Sequence, residues 1–241
     1  MQIDYIPLTH AVHRLSGIVT PASAAYSAAE LTHQIKSSGA TALFTCGPLL
    51  KTALEAAKAA DLPRERIFLL EVPGASGGSG FPTLQDLVNE GQKLPEIDQL
   101  KWVKGQGARQ VAFLCYSSGT SGLPVRRFPQ TTLNCNRHLF QMERSNGISS
   151  EQKAVMVSHR NVIANATQLG LHDRESREKL GVDTQATLGL LPFSHIYALV
   201  VITHTGTYRG DGIIVLPRFE FKTFLSSIQN YKISKVPVVS H

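Results

Sequence analysis

The residues best suited to chemistry form a short run of hydroxyl side chains and glycines. Its members are Ser117, Ser118, Gly119, Thr120, Ser121 and Gly122. Glycines let a ligand approach the backbone closely, and the amide and hydroxyl groups supply many hydrogen-bond donors in a few residues. Several negatively charged oxygens on one ligand need such a donor set. The run therefore predicts a phosphate-binding loop, although a turn in a hairpin would use the same residue types.

The residues in front of this run predict the element that positions it. Residues 113–116 are apolar or aromatic, which is typical of a short buried strand. No Gly-Lys-Ser/Thr closes a Gly-x-x-x-x-Gly frame after the strand, so the loop is not of the P-loop type.

Residues 116–124 read Tyr-Ser-Ser-Gly-Thr-Ser-Gly-Leu-Pro. This segment closely resembles the phosphate-binding signature of the AMP-forming adenylating enzymes, a superfamily of acyl- and aryl-CoA ligases, luciferases and peptide-synthetase adenylation domains. Two later segments, 190–198 and 231–237, resemble those of acyl-CoA synthetases and 4-coumarate-CoA ligases and follow in the same order. Ala198 stands where the family usually has glycine.

The signature is interrupted. In the family, Leu-Pro continues directly into a lysine, an apolar strand and Ser/Thr-His-x-Asn, which this chain has only at residues 153–161. Residues 125–152 lie between, and they are polar and aperiodic. Lengthening a loop from about 6 to about 34 residues costs only roughly 1.5 kcal/mol, so a fold can tolerate it. A Val codon begins with GT and a Gln codon can end in AG, and we interpret this atypical insertion as a translated, unspliced intron.

The resemblance implies a ligase that uses ATP and Mg²⁺ to turn a carboxylic acid into an acyl-adenylate and then forms a thioester with coenzyme A. It implies that residues 117–122 bind the phosphates and that Lys153 supplies a catalytic positive charge. It also implies that His195 is catalytic and borders the acid together with Tyr197. Without the resemblance, a lone histidine beside an apolar strand is more often structural.

We expect residues 1–241 to be part of an N-terminal adenylation domain, without the family's downstream motifs and C-terminal domain. The alternative is a catalytically inactive fragment that at most binds a nucleotide or a partner. A carrier protein in place of coenzyme A is a further alternative for the acceptor.

Composition restricts the other possibilities. The net charge is +6 with 42% hydrophobic residues, and the Lys and Arg residues are scattered, which argues against nucleic-acid binding. Cys46, Cys115 and Cys135 have no metal-ligand spacing and indicate reduced thiols. No apolar run of the sequence is long enough to span a membrane, and the first and last residues lead us to expect neither a secretory nor a peroxisomal signal. These features favour a cytoplasmic protein, with a peroxisomal location as the alternative for full-length relatives, and leave the oligomeric state open.

The chain pattern predicts an α/β fold, a partial adenylating-enzyme N-terminal domain with mostly parallel sheets flanked by helices. Strands are predicted at residues 40–46, 66–71, 113–116, 154–157, 188–192 and 212–216. Helices are predicted after Ser27, Pro48, Thr83 and Ser158 and at residues 221–228. Residues 1–20 show no clear element, and residues 171–185 indicate a charged, exposed connection.

Overall fold

The computed structural model describes residues 3–72, 80–117 and 153–238. Its six strands are β1 (Leu43–Cys46), β2 (Ile67–Leu70), β3 (Val111–Ser117), β4 (Lys153–Ser158), β5 (Ala186–Gly189) and β6 (Gly212–Val215). Its α-helices are α1 (Tyr5–Arg14), α2 (Ala28–Ser38), α3 (Leu50–Ala59), α4 (Leu84–Gly91), α5 (Gln106–Arg109), α6 (His159–Lys179), α7 (Thr205–Arg209) and α8 (Phe221–Asn230). Two 3₁₀ turns, Gly47–Leu49 and Arg64–Arg66, and a π-helix, Tyr197–His204, complete the described elements.

Local capping signals determine where several helices begin and end. The Ser27 hydroxyl accepts a hydrogen bond from the amide of Glu30, and the Glu30 carboxylate accepts one from the amide of Ser27. The same reciprocal box opens α4 and α6. Such a box satisfies amides that have no partner inside the helix. Gly39 ends α2 with φ of 65°, a left-handed conformation that glycine adopts without strain. The helices predicted after Ser27, Thr83 and Ser158 are confirmed.

The strands form three two-stranded sheets. β1 pairs with β2 in parallel and β5 pairs with β6 in parallel, as predicted for strands joined through helices. β3 and β4 instead pair antiparallel, with a register irregularity between Val111 and Phe113. The expectation of mostly parallel sheets is therefore confirmed, and the exception is the pair that leads into the candidate phosphate loop.

The structure differs from the sequence pattern in three other places. α1 occupies residues for which no element was predicted, and Pro7 lies in its first turn, where proline is tolerated. α6 continues to Lys179 through part of the segment expected to be a connection, because its exposed face takes charged residues without penalty. β5 ends at Gly189 rather than at Pro192, which has no amide hydrogen to donate to a ladder.

Three groups of buried apolar side chains hold these elements together. The first joins Ala112 and Phe113 of β3 to Val162 of α6 and to Leu199 and Val200 of the π-helix. The second lies between β5, β6 and α8 around Leu188, and the third surrounds Phe193 and Ile202. Because the first group contains both β3 and the π-helix, one core supports the two regions where site residues are predicted.

Candidate functional site

The β3–β4 pairing brings together the two halves of the interrupted signature. Ser117, the last residue of β3, is the Cα partner of Lys153, the first residue of β4. Six residue pairs set this register, from Val111 opposite Ser158 to Ser117 opposite Lys153. The backbone of Lys153 therefore lies beside the backbone at which the hydroxyl-rich run begins, although 35 residues separate them in the chain (residues 118–152).

The remaining predicted phosphate-binding residues, 118–122, lie outside the described residues, as do residues 125–152 and Cys135. Their assignment remains a prediction from the sequence. What the structure provides is their anchor, because Phe113 and Leu114 of β3 are buried. Val19 adds a backbone hydrogen bond on each side of Phe113, to the carbonyl of Ala112 and from the amide of Leu114. The strand that leads into the run is thus bonded on two sides.

His195 lies on the surface, in a turn between β5 and the π-helix. Its amide donates to the carbonyl of Pro192 at 2.9 Å and its own carbonyl accepts from the amide of Leu199 at 2.9 Å. The ring accepts a hydrogen bond at Nδ1 from the amide of Tyr197 at 3.3 Å, which leaves the proton of a neutral ring on Nε2. The imidazole is therefore oriented by the backbone and exposed to solvent.

Tyr197 begins the π-helix and lines a narrow cleft. The other residues around this cleft are Thr187, Val201, Ile202, Gly206, Arg209, Asp211, Lys235 and Pro237. Tyr197 is 39% exposed, so its ring can meet a ligand. His195 is not among the residues that line the cleft, so the structure places the two predicted substrate-binding residues next to each other but not in one pocket.

The π-helix that carries Tyr197 is stabilised by side chains. A π-helix shifts the backbone pattern to i→i+5 and is uncommon in proteins. Thr203 Oγ1 donates to the carbonyl of Leu199, His204 Nδ1 lies 2.6 Å from the same carbonyl, and Thr205 Oγ1 donates to the carbonyl of Val200 at 3.1 Å. These bonds serve carbonyls inside the unusual turn, so Thr203, His204 and Thr205 fix the conformation of the segment that positions Tyr197.

Charged side chains form one wall of the cleft. Asp211 accepts two hydrogen bonds from the guanidinium of Arg177, at 2.8 and 3.0 Å, and a third from the amide of Gln185 at 3.0 Å. Arg209 and Lys235 both contact Asp173, at 2.5 and 3.3 Å. Burial by itself raises the pKa of Asp173, but the two cations outweigh it and the net pKa is lowered. The cations that border the cleft are thus largely neutralised by the protein.

Sequence reasoning missed a group of histidines on the other side of the π-helix. The rings form two pairs, His10 of α1 with His204 and His13 of α1 with His159 of α6. The three-residue spacing of His10 and His13 places both on one face of a helix, and this spacing is the sequence signal that could have revealed the group. The signal is informative only if these residues are known to be helical, and the sequence did not predict α1.

The comparisons with known proteins agree with this fold and these motifs. A family model described as AMP-binding enzyme matches residues 1–124 and 147–241, and the chain belongs to that family. It is 34% identical over 245 residues to the acyl-CoA ligase cm3C of Cordyceps militaris, covering 99% of this chain and 33% of that protein. It is 30% identical over 238 residues to the acyl-CoA ligase AFT1-1 of Alternaria alternata, covering 98% of this chain and 36% of that protein.

Solved structures show the same fold. A long-chain-fatty-acid-CoA ligase from Archaeoglobus fulgidus superposes with a TM-score of 0.66 at 21% identity, over 98% of this chain and 37% of that one. The chain spans about a third of the length of the curated relatives it matches. No helix within residues 3–72, 80–117 and 153–238 is both long and apolar enough to cross a membrane.

Proposed function

We propose that this chain is part of an acyl- or aryl-CoA ligase, which activates a carboxylic acid with ATP to an acyl-adenylate and then forms a thioester with coenzyme A. Membership of the AMP-binding enzyme family and the likeness to two acyl-CoA ligases support the proposal. The observation that carries it is the register of the β3–β4 pair, because it sets Lys153 opposite Ser117 across the interruption.

The donor set that the sequence predicts, residues 117–122 together with Lys153, would suit a triphosphate. Amides and hydroxyls of residues 117–122 would bind phosphate oxygens, and the ammonium of Lys153 would neutralise charge that builds up as the carboxylate attacks the α-phosphorus. Magnesium bound with the triphosphate would screen its negative charge further. A fixed positive group at such a position is commonly worth about 3 kcal/mol of barrier, so the strand register matters directly to rate.

His195 and Tyr197 would border the acid. His195 is exposed, and the amide of Tyr197 donates to its Nδ1. Tyr197, Val201 and Ile202 give the cleft an apolar side, while the cations on the other side are paired with carboxylates. A cleft of this kind favours the apolar body of an acid over a second free carboxylate, since neutralised cations offer little to another anion. The cleft has a volume of only about 10 Å³, enough for about one water molecule, so an acid would bind there only after the cleft opens.

The interpretation of residues 125–152 as a translated, unspliced intron is a hypothesis about the messenger RNA. The family match leaves out residues 125–146, which lie inside this segment, and that omission supports a segment foreign to the family. Sequencing of mature transcripts decides the origin: a message that always contains the segment would rule out a retained intron.

The test of function is ATP–pyrophosphate exchange by the 241-residue chain with Mg²⁺ and a panel of aromatic and fatty acids. The same assay is run on a variant that lacks residues 125–152. Lys153→Ala is then tested both in the 241-residue chain and in this deletion variant. Lys36→Ala is the matched control, because Lys36 is an exposed lysine in the last turn of α2. We expect acid-dependent exchange that falls about 100-fold or more with Lys153→Ala and is unchanged with Lys36→Ala.

Two results would contradict the proposal. Exchange that is insensitive to Lys153→Ala would remove the role assigned to the hairpin. No exchange by any folded form, with or without residues 125–152, would favour the catalytically inactive alternative. If adenylate forms but coenzyme A does not discharge it while a carrier protein does, the acceptor is a carrier protein.

A further inference from the structure

The four clustered histidines lie where α1, β3, α6 and the π-helix meet. The ring centroids of His13 and His159 are 4.8 Å apart, and those of His10 and His204 are 5.2 Å apart. Phe113 joins the two pairs, at 4.9 Å from His13 and 5.5 Å from His204. The cluster thus ties α1 to β3, to the start of α6 and to the end of the π-helix. We call these four residues, His10, His13, His159 and His204, the histidine cluster.

The hydrogen bonds of the cluster suit neutral rings. His13 Nε2 lies 3.0 Å from the carbonyl of Ala112, and His204 Nδ1 lies 2.6 Å from that of Leu199, so each of these nitrogens carries the ring proton and donates. The second nitrogen of His204, Nε2, and Nε2 of His159 are buried with no hydrogen-bond partner among the described residues. Protonating either ring would enclose a charge without an acceptor, which is costly in a protein interior.

The surroundings of the cluster provide little compensation for positive charge. On α1, Arg14 turns away and donates to the carbonyls of Ile97 and Asp98, and Tyr5 lies at the opposite end of the helix beside Phe193. β3 contributes Cys115, whose thiol has a pKa raised by burial to about 11 and so stays uncharged. α6 contributes Arg160, an exposed cation next to His159. The charged groups that act on His13 and His204 within the described residues are the other histidines of the cluster.

The pKa values follow from this environment. Burial lowers the pKa of His13 to about 4, with repulsion from the other three histidines adding to the effect and the Ala112 carbonyl opposing it. Burial also lowers the pKa of His10, His159 and His204. Each folded ring therefore resists a proton that the same ring accepts readily in the unfolded chain. The stability contributed by neutral rings is complete above the unfolded pKa of about 6.5 and is lost progressively as the pH falls from that value to the lower folded pKa, which for His13 is about 4.

We infer that the histidine cluster is an acid-sensitive latch that holds α1 on the domain and releases it when the rings take up protons. Release would disturb more than α1. Tyr5 and Ile6 of α1 pack against the apolar group around Phe193, Ala198 and Ile202, which supports the π-helix carrying Tyr197. Opening the latch would therefore loosen the segment that borders the candidate acid cleft. This device does not depend on whether the chain is a ligase.

The first experiment follows unfolding in urea between pH 7.0 and pH 5.5, where carboxylates remain ionised in both states. His13 alone makes the folding equilibrium constant fall on the order of fivefold across this range, after allowance for its partial exposure. The slope of the logarithm of the folding equilibrium constant against pH gives the number of protons taken up on unfolding. We expect between about one and three protons. A slope below about half a proton would overturn the inference without any variant being needed.

The second experiment localises the effect. Trp102, the single tryptophan of the chain, has its ring centroid 5.0 Å from that of His159. An imidazolium quenches indole fluorescence more strongly than neutral imidazole, so the emission of folded protein should fall in acid and should not fall with His159→Phe. Amide protection factors in α1 should drop at pH 5.5 while those in α2 stay constant. Equal changes in both helices would mean global unfolding and would refute a latch.

Variants separate titration from packing. The variant His13→Gln/His204→Asn keeps an amide donor near each carbonyl but cannot titrate, so its stability should vary with pH at least threefold less than that of the unmodified chain. His172→Gln is the matched control, because His172 is exposed on α6. If the double variant retains the full pH dependence, the protons bind elsewhere and the latch is wrong.

Discussion

Replacing Asp211 by asparagine should strongly destabilise the chain. Asp211 and Arg177 expose only 1% and 12% of their side chains, and the carboxylate accepts two bonds from the guanidinium and one from the amide of Gln185. Asparagine keeps one acceptor, directs an NH₂ group at a guanidinium and leaves the buried Arg177 without its counter-charge. Breaking a buried ion pair on one side costs about 3–5 kcal/mol.

The assay is the free energy of unfolding in urea at pH 7, followed by circular dichroism. The matched control is Glu175→Gln, which removes the partner of Lys179 from an ion pair that is 79% and 72% exposed and should cost less than about 0.5 kcal/mol. The double change Arg177→Met/Asp211→Leu removes both charges and should recover most of the loss, since apolar residues of similar volume often replace a buried pair well.

Two outcomes would refute this reasoning. A loss below about 1 kcal/mol for Asp211→Asn would mean that water reaches the pair and screens it. A double variant that is no more stable than Asp211→Asn would mean that the pair is irreplaceable by packing, contrary to the desolvation argument. If Asp211→Asn does not fold at all, the result supports the prediction only when Arg177→Met/Asp211→Leu folds. In that case the unpaired charge of Arg177 is the cause of the loss.

Three further predictions concern local features. Ser158→Ala removes the hydroxyl that caps α6 and should cost about 1 kcal/mol in urea unfolding, whereas Ser176→Ala on the exposed face of the same helix should be neutral; equal effects would contradict the cap. Gly39→Ala should cost about 1 kcal/mol because Gly39 has φ of +65°, although an added Cβ would have no heavy atom within 4 Å. Gly91→Ala is equally open and should be neutral or stabilising. The reverse order of the two effects would refute the backbone argument. Cys115 should react with iodoacetamide at pH 8 at least tenfold more slowly in the folded chain than in urea, because burial raises the pKa of its thiol to about 11. The two rates are measured by peptide mass spectrometry, and similar rates would be incompatible with that burial.

The parts of the fold that the sequence predicts are those whose cause is local. The box at Ser27 and Glu30 and the glycine at the end of α2 act within one turn of helix, so their pattern can be read directly. β3 was recognised for the same reason, as a run of apolar residues. The glycine and hydroxyl pattern after it pointed to chemistry, but only the resemblance to a family made that pattern specific.

The parts that the sequence did not predict depend on partners distant in the chain. The amphipathic face of α1 makes sense only once Phe193 and Ile202 are known to lie beneath it. The antiparallel pairing of β3 with β4 requires contacts across residues that separate them, and strand direction is not encoded in either strand alone. The π-helix depends on Thr203, His204 and Thr205 bonding back to carbonyls, a pattern indistinguishable in sequence from an ordinary buried helix.

The two regions of the candidate site therefore respond to change in different ways. The hairpin end is held by a six-residue ladder and by Val19, and closing the chain between the strands costs only roughly 1.5 kcal/mol more with the insertion than without it, so the opposition of Ser117 and Lys153 can survive the insertion. The Tyr197 segment has no ladder and relies on side-chain bonds and on the packing of α1. A substitution in the apolar group beneath α1 should thus loosen the Tyr197 segment before the hairpin end, whereas acid acts on both regions, because His13 bonds to Ala112 of β3 and His204 bonds to Leu199 of the π-helix.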